Sequence, residues 1–286
     1  MQEIAPKIFI EKDYPGVVLG IINWSRGPVL IDAPFRPDDI RLWRGSIHKM
    51  SGGSDCLLIN LDDHYDRTLG SRQIDCTVVG HDKLTLLLRD RPVNIKSQGI
   101  ETGAEWELHN APSNIRWSSP EITFNEQMEV HCEQNTIILD FRPGPSQAAI
   151  WATLPEMKVV FVGDAVLSGE VPFLANADLQ QWVAMLNLLL TPDYQHYQIV
   201  SGRSGLVTTS EVKAQINVLN KIEKHIEKLA SRSLRSEDLH KAADRILRDC
   251  EVPSSRAAQN LQRARYGLTH LLRRVVGLQP EQFSVL

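Results

Sequence analysis

Little in this chain announces a chemistry directly. Its four cysteines, Cys56, Cys76, Cys132 and Cys250, lie far apart with no C-x-x-C pair, which suits reduced, mostly buried thiols better than a disulfide or zinc framework. Long apolar runs are missing: those present, such as Val159 to Val162 and Leu188 to Leu190, fall far short of the roughly 20 residues of a membrane span. No basic start leads into an apolar stretch. A cytoplasmic protein with no membrane partner is therefore expected. Repeats and low-complexity tracts are absent too. So is the G-x-S-x-G elbow, and neither Ser146 nor Ser204 has an evident base, which leaves no ground for a Ser/His/Asp triad.

What is present is the material of an ordinary folded chain. With 286 residues, 42% of them hydrophobic and 23% charged, it can bury a large core in one big domain or one and a half. The net charge of −4 is uneven: between Lys221 and Arg274, thirteen Lys/Arg stand against seven Asp/Glu. The plain reading of that basic stretch is a solvated helical face, and the sharper one a contact surface for an acidic partner or nucleic acid.

Three regimes follow one another. From Lys7 to about Asp140, short β-rich runs (Gly16–Trp24, Gly27–Ala33, Asp55–Leu61, Asp75–His81, Asn135–Phe141) are punctuated by Gly, Pro, Asp and Asn, which predicts strands with tight connections and few helices. Pro92 to Pro120 has no clear period and reads as a long loop near an open face. From Ala148 to Val200 the order is strand, turn, strand, loop, helix, strand. From Thr208 the spacing turns helical, with Val212, Ile216, Leu219, Ile222, Ile226 and Leu229 recurring every three or four residues. Two more helices follow, with Ser236 as cap of the first and Ser254 or Ser255 as cap of the second after the Pro253 break. Trp106, Trp117 and Trp151 fit either a pocket mouth or the core.

Chemical residues gather where strands end. Asp62-Asp63-His64-Tyr65-Asp66-Arg67 follows the apolar run Leu57–Leu61. Gly163-Asp164 ends a second strand and Ser201-Gly202-Arg203-Ser204-Gly205 a third, with the turn Arg142-Pro143-Gly144-Pro145 between. Each alone is a plain turn or loop; together they suggest one metal or acid/base site.

Over roughly Ile8 to Ile226 the sequence resembles the metallo-β-lactamase superfamily. The early strand and acidic turn are Leu30-Ile31-Asp32. The H-x-H-x-D-H motif lies on Asp62 to Arg67 with Gly70 in the glycine place, P-G-H on Pro143-Gly144-Pro145, F-x-G-D on Phe161 to Asp164, and the closing G-H-G on Gly202-Arg203-Ser204. The resemblance implies a mixed α/β (α+β) chain, an αββα four-layer sandwich over 1–207 with C-terminal helices over 208–286, the first packing on the sandwich and the rest a helical appendage. It also implies that the first metal's ligands fall on Asp62, His64 and Pro145, the second's on Asp66, Arg67 and Arg203, with Asp164 bridging and Asp32 behind them. Only His64, Asp66 and Asp164 keep the family's residue type. Zinc needs neutral imidazole, thiolate or carboxylate donors; proline has no side-chain donor and arginine is a cation with no lone pair to give.

Two expectations follow. In the first, no cofactor is bound. Arg67 and Arg203 enter the space of the second metal and neutralise the crowded carboxylates Asp66 and Asp164 by bidentate pairing, and a small molecule or protein partner uses the former cleft of a non-catalytic or weakly active protein. In the second, Asp62, His64 and Asp164 hold one divalent ion (Zn, Mn or Fe) that activates water against an ester, thioester, lactone or phosphodiester. His81, His109, His131 and His196 lie outside the implied ligand places. The C-terminal helices, with Arg263, Arg265, Arg273 and Arg274 among Leu261, Leu268, Leu271 and Leu272, suit packing on the sandwich or a homodimer contact. A nucleic-acid processing enzyme is a weaker reading that rests only on the basic tail and on fold analogy.

Overall fold

Among the described residues, thirteen strands build two sheets. The first contains β1 (Gln2–Ala5), β2 (Ile8–Glu11), β3 (Leu19–Trp24), β4 (Gly27–Ile31), β5 (Leu57–Ile59), β6 (Thr77–His81) and β7 (Ile122–Phe124), adjacent in that order. Its first four strands are an antiparallel meander; β4 to β7 run parallel. The second has the order β13 (Gly205–Val207), β12 (Gln198–Ser201), β11 (Val159–Phe161), β10 (Ile150–Leu154), β9 (Asn135–Phe141), β8 (Gln127–Cys132), with only β11 and β12 parallel. The computed structural model describes residues 1–53, 55–89, 91, 102–109, 117–132, 134–231 and 236–277.

Alternation of side chains across each strand gives each sheet two apolar faces and so generates four layers. Between the sheets lie Ile8, Ile10, Ile22, Ile31 and Ile59 against Leu139, Ile150, Ala152 and Phe161. The outer face of the first sheet, Leu19, Ile21, Leu30, Leu58 and Val78, is covered by Ile40, Trp43 and Ile47 of helix α1 (Pro37–Ser51). Two single-turn helices, α2 (Tyr65–Thr68) and α3 (Ser71–Ile74), follow β5, and α4 (Asp82–Arg89) follows β6. The outer face of the second sheet, with Trp151, Val160 and Ile199, packs on α5 (Leu179–Leu188), α6 (Thr209–Ala230), α7 (Ser236–Asp249) and α8 (Ala257–Val276). The C-terminal helices thus share one continuous core with the sheet.

The predicted strands and the helix from Thr208 are all found. Thr208 caps α6 in a reciprocal box with Glu211. Three readings are corrected. Helix α1 was not expected, although Pro37 at its first position, Asp38 and Asp39 in its first turn and the 40/43/47 spacing are helix signals. Neither Ser254 nor Ser255 caps α8: they lie in a 3-10 turn, Ser254–Arg256, and Arg256 precedes the helix without a side-chain cap. Helix α7 begins at Ser236 itself, and the side chain expected to cap it lies outside the described residues.

The third correction concerns the thiols. Cys132 and Cys250 are free and buried as expected, but Cys56 and Cys76 form a disulfide. The reason is register: β5 and β6 pair in parallel with Leu57 opposite Thr77, so the residues just before them, 20 apart in sequence, lie side by side with Cα atoms 5.0 Å apart. Of the expected Pro92–Pro120 loop, 92–101 and 110–116 lie outside the described residues, while Glu105–Leu108 forms a 3-10 turn.

Candidate functional site

The site forms where the carboxyl ends of two parallel strand pairs meet. Asp32 follows β4, Asp62 to Arg67 follow β5, Asp164 follows β11 and Arg203 follows β12. Backbone bonds stitch these ends together: Asp32 N donates to Ile59 O (2.9 Å), Gly202 N to Gly163 O (2.7 Å) and Val18 N to Gly202 O (2.7 Å). Asp32 holds a left-handed φ of 59°, a conformation that costs a non-glycine residue energy and survives only where the surroundings enforce it. Those surroundings are Leu61 N on Oδ1 (3.0 Å) and Arg67 Nη1 on Oδ2 (3.1 Å).

Arg67 lies at the centre, 0% exposed. Its Nη1 donates to Asp32, its Nη2 to Asp164 Oδ1, and its Nε is 3.1 Å from Asp62 Oδ1. Gly202 makes room for it: a Cβ there would come within 2.6 Å of Arg67 Nη1. Arg203, its side chain 2% exposed, donates from Nε to Asp164 Oδ2 (2.9 Å) and from Nη1 to Asp66 Oδ2 (2.7 Å) and Gly16 O (2.9 Å). Asp164 therefore links both guanidiniums, one on each oxygen. Asp66 completes its shell with two backbone donors, Trp106 N on Oδ1 (2.8 Å) and Glu105 N on Oδ2 (3.2 Å).

His64 is the member nearest solvent, with 15% of its side chain exposed. Its Nδ1 is 3.0 Å from Asp62 Oδ1 and 3.3 Å from Asp164 Oδ2. Burial disfavours the imidazolium, but Asp62 and Asp164 outweigh it and raise the His64 pKa above its ordinary value. Burial likewise pushes the Asp62 and Asp164 carboxyls up, and the neighbouring cations more than reverse it: Arg67 and His64 hold Asp62 low, and Arg203, Arg67 and His64 hold Asp164 low. Asp32 goes the other way. Burial dominates there, Arg67 opposes it only in part, and with Asp62 close by the carboxyl is pushed up to about 7.

The expected charge pairing is thus present in altered form. Arg203 takes Asp66 and Asp164 as anticipated; Arg67 takes Asp164 with Asp62 and Asp32 rather than Asp66. Pro145 is buried in its turn and adds no side-chain donor to the cluster. Trp151 is core, and Trp106 is buried against Phe35 and Leu69. His81 is held by Asn125 O (2.7 Å) and stacked on Phe141, away from the cluster.

Sequence reasoning missed the cover over the site. Phe173 packs on His64 (4.7 Å), Arg203 (4.6 Å) and Arg263 (4.0 Å). Arg263 of α8, 1% exposed, donates to Glu170 (2.9 Å), Gly103 O (3.0 Å) and Val171 O (3.1 Å), so the last helix is tied to the segments that roof the cluster. Arg263 and Glu170 carry ordinary surface residue types, and no local pattern marks either as buried.

Whether these residues suit a metal ion follows from their spare donor atoms. One ligand atom each from Asp62, His64 and Asp164 lies within 4.8 Å of the others, and Asp62 Oδ2 has no hydrogen-bond partner among the described residues. Two carboxylates and one imidazole are therefore close enough together for one divalent ion. Both Asp164 oxygens, however, already receive guanidinium hydrogens, so an ion there would face two fixed positive charges. The second-metal places, held by Asp66, Arg67 and Arg203, offer one carboxylate and two cations and do not suit an ion at all.

No family model matches the chain, and no curated protein matches its sequence. Solved structures do match its fold. A metallo-β-lactamase from Pontibacter korlensis is 17% identical, with 77% of this chain and 97% of that one covered at a TM-score of 0.59. A metallo-β-lactamase family protein from Thermus thermophilus is 14% identical, with 96% and 95% covered at 0.65. A stereoselective inverting sec-alkylsulfatase from a Pseudomonas species is 13% identical at 0.70; 97% of this chain covers only half of that longer one. The chain has the metallo-β-lactamase fold.

Proposed function

We propose that this protein is a non-catalytic or weakly active user of the metallo-β-lactamase fold, in which Arg67 and Arg203 stand where a second metal would be. Its ligand, a small molecule or a protein partner, meets the former cleft at His64 and Phe173. The observation that carries this reading is Asp164 with a buried arginine on each oxygen. Guanidiniums satisfy carboxylate charge but cannot ionise a bound water or polarise a substrate as a Lewis acid does.

A second reading, a single-metal hydrolase, is supported by the clustered atoms of Asp62, His64 and Asp164 and the unpartnered Asp62 Oδ2. Metal analysis of protein purified without added metal separates the two: the proposal expects well under one transition metal per chain and no rise in Tm on adding zinc. Near-stoichiometric metal with a clear thermal shift, which mass action requires of native-state binding, would establish the second reading instead.

For partners, exposed Val275 and Val276 at the end of α8 support a homodimer contact through the C-terminal helices, which sedimentation would detect. Nucleic acid gains no support, because Arg263 is buried on Glu170 and Arg274 donates to the carbonyls of Leu174 and Ala177. None of the described helices is long and apolar enough to cross a membrane. The cytoplasmic placement stands against the Cys56–Cys76 disulfide, a bond that oxidising compartments favour.

A further inference from the structure

On another side of the Pro143–Ser146 turn lies a cavity of ≈290 Å³ that the cluster does not use. Phe141, Pro143 and Gly144 form part of its wall, and Lys83, Arg274 and Asp178 bring charge to it. We propose that it binds a small organic oxyanion, a phosphate monoester or a carboxylate, with the charged end between Lys83 and Arg274 and the uncharged body against Phe141 and Pro143.

The argument starts from charge. Two cations line the cavity against one carboxylate, and that carboxylate is engaged: Asp178 Oδ1 accepts Gln181 N (3.0 Å) and Oδ2 accepts Gln181 Nε2 (2.8 Å), capping α5. Among the described residues no carboxylate forms an ion pair with Lys83 or Arg274. Lys83 Nζ lies over the Phe141 ring at 4.5 Å, and Arg274 Nη2 donates to Ala177 O (2.7 Å) and Leu174 O (3.3 Å). Those carbonyls aim the guanidinium without neutralising it. Burial, opposed only by Asp178, lowers the Arg274 pKa, as expected for a partly desolvated cation short of counter-charge.

The wall is also rigid. Asp178 N donates to Gly144 O (2.8 Å), and the turn packs so closely on α5 that a Cβ on Gly144, φ 154°, would come within 2.6 Å of Trp182 Cα. Ser146 Oγ donates to Asp63 and accepts Ala148 N (3.1 Å), fixing the other end of the turn to the segment after β5 that carries part of the cluster. A preformed recess loses little entropy on binding. Its volume holds roughly ten non-hydrogen atoms if each needs about the 30 Å³ of a water molecule, the small end of ligand sites.

Titration calorimetry on the full chain tests the proposal, with sodium phosphate, sodium acetate and sodium chloride at constant ionic strength. Expected is saturable binding of one oxyanion per chain and none of chloride. Phosphate alone would assign a phosphate monoester, and acetate as well a general oxyanion site. Lys83→Gln and Arg274→Gln should each weaken it by about tenfold, equivalent to about 1.4 kcal/mol, while Arg248→Gln leaves it unchanged. Arg274 supports two carbonyls and its variant is the one at risk of not folding; Lys83 is exposed and makes no side-chain hydrogen bond among the described residues, so Lys83→Gln keeps the test decisive. Absence of saturable oxyanion binding overturns the proposal. So does binding that survives Lys83→Gln but is lost in His64→Gln, which would move the anion to the cluster. Metal content does not bear on either outcome.

Discussion

Arg67 and Arg203 are each surrounded by carboxylates in a place solvent does not reach, and that sets what their loss should do. Truncating one partner of a buried pair leaves uncompensated charge, at a cost of about 3–5 kcal/mol, whereas an exposed ion pair contributes about 0–1 kcal/mol. Arg67→Ala and Arg203→Ala should therefore lose several-fold more stability in urea than Arg248→Ala on the exposed side of α7. Losses no larger than the control would mean that the guanidiniums do not neutralise the cluster. Arg203→Lys should not rescue, because a point ammonium cannot span Asp66, Asp164 and Gly16 O together. Sequence alone put both arginines at motif positions beside Asp66 and Asp164; it did not anticipate Asp32 and Asp62 as partners of Arg67.

At the scale of elements, two devices can be measured. The Thr208–Glu211 capping box starts a helix of 22 residues whose buried face includes Val212, Leu219 and Ile222; Thr208→Ala should cost about 1 kcal/mol in chemical denaturation. An unchanged midpoint would mean that packing alone holds that end. The Cys56–Cys76 bridge closes a loop of 20 residues, for which about 3 kcal/mol of stabilisation is typical. Protein denatured without reductant should show two reactive thiols, those of Cys132 and Cys250, and reduction should lower the urea midpoint. Four thiols without reductant would restore the reading that the sequence suggested. That reading failed because cysteine spacing carries no strand register, whereas the helix at Thr208 was legible because its period is local.

The whole molecule's response to pH sums opposed groups. Asp62 and Asp164 have depressed values, so their contribution is present above the unfolded value of about 3.9 and disappears as pH falls through their lower folded values. Asp32, pushed up to about 7, favours the fold while protonated, and that contribution fades between about pH 4 and its folded value. His64, raised, stabilises fully below about 6.5 and loses its contribution as pH passes its folded value. Stability in urea should peak in the mildly acidic range, at about pH 4–6, and decline on both sides; a flat profile or a maximum in the alkaline range would refute the cluster's charge assignment. The combined substitution of His for Asp62, Arg67, Pro145 and Arg203, with Asp66 and Asp164 kept, should create tight zinc binding in calorimetry, and a folded variant without it would show the motif places to be misaligned. What the sequence determined by itself was local or ordinal: strands with their turns, the helical period from Thr208, and the order of charged landmarks at strand ends that marked both fold and site. The tertiary structure alone decided that Asp164 joins the two arginines, that burial raises the Asp32 carboxyl above its ordinary range, that Cys56 meets Cys76, and that Phe173 and Arg263 roof the cluster. Each depends on sheet register and on burial among segments distant along the chain, and neither leaves a periodic trace in the residues themselves.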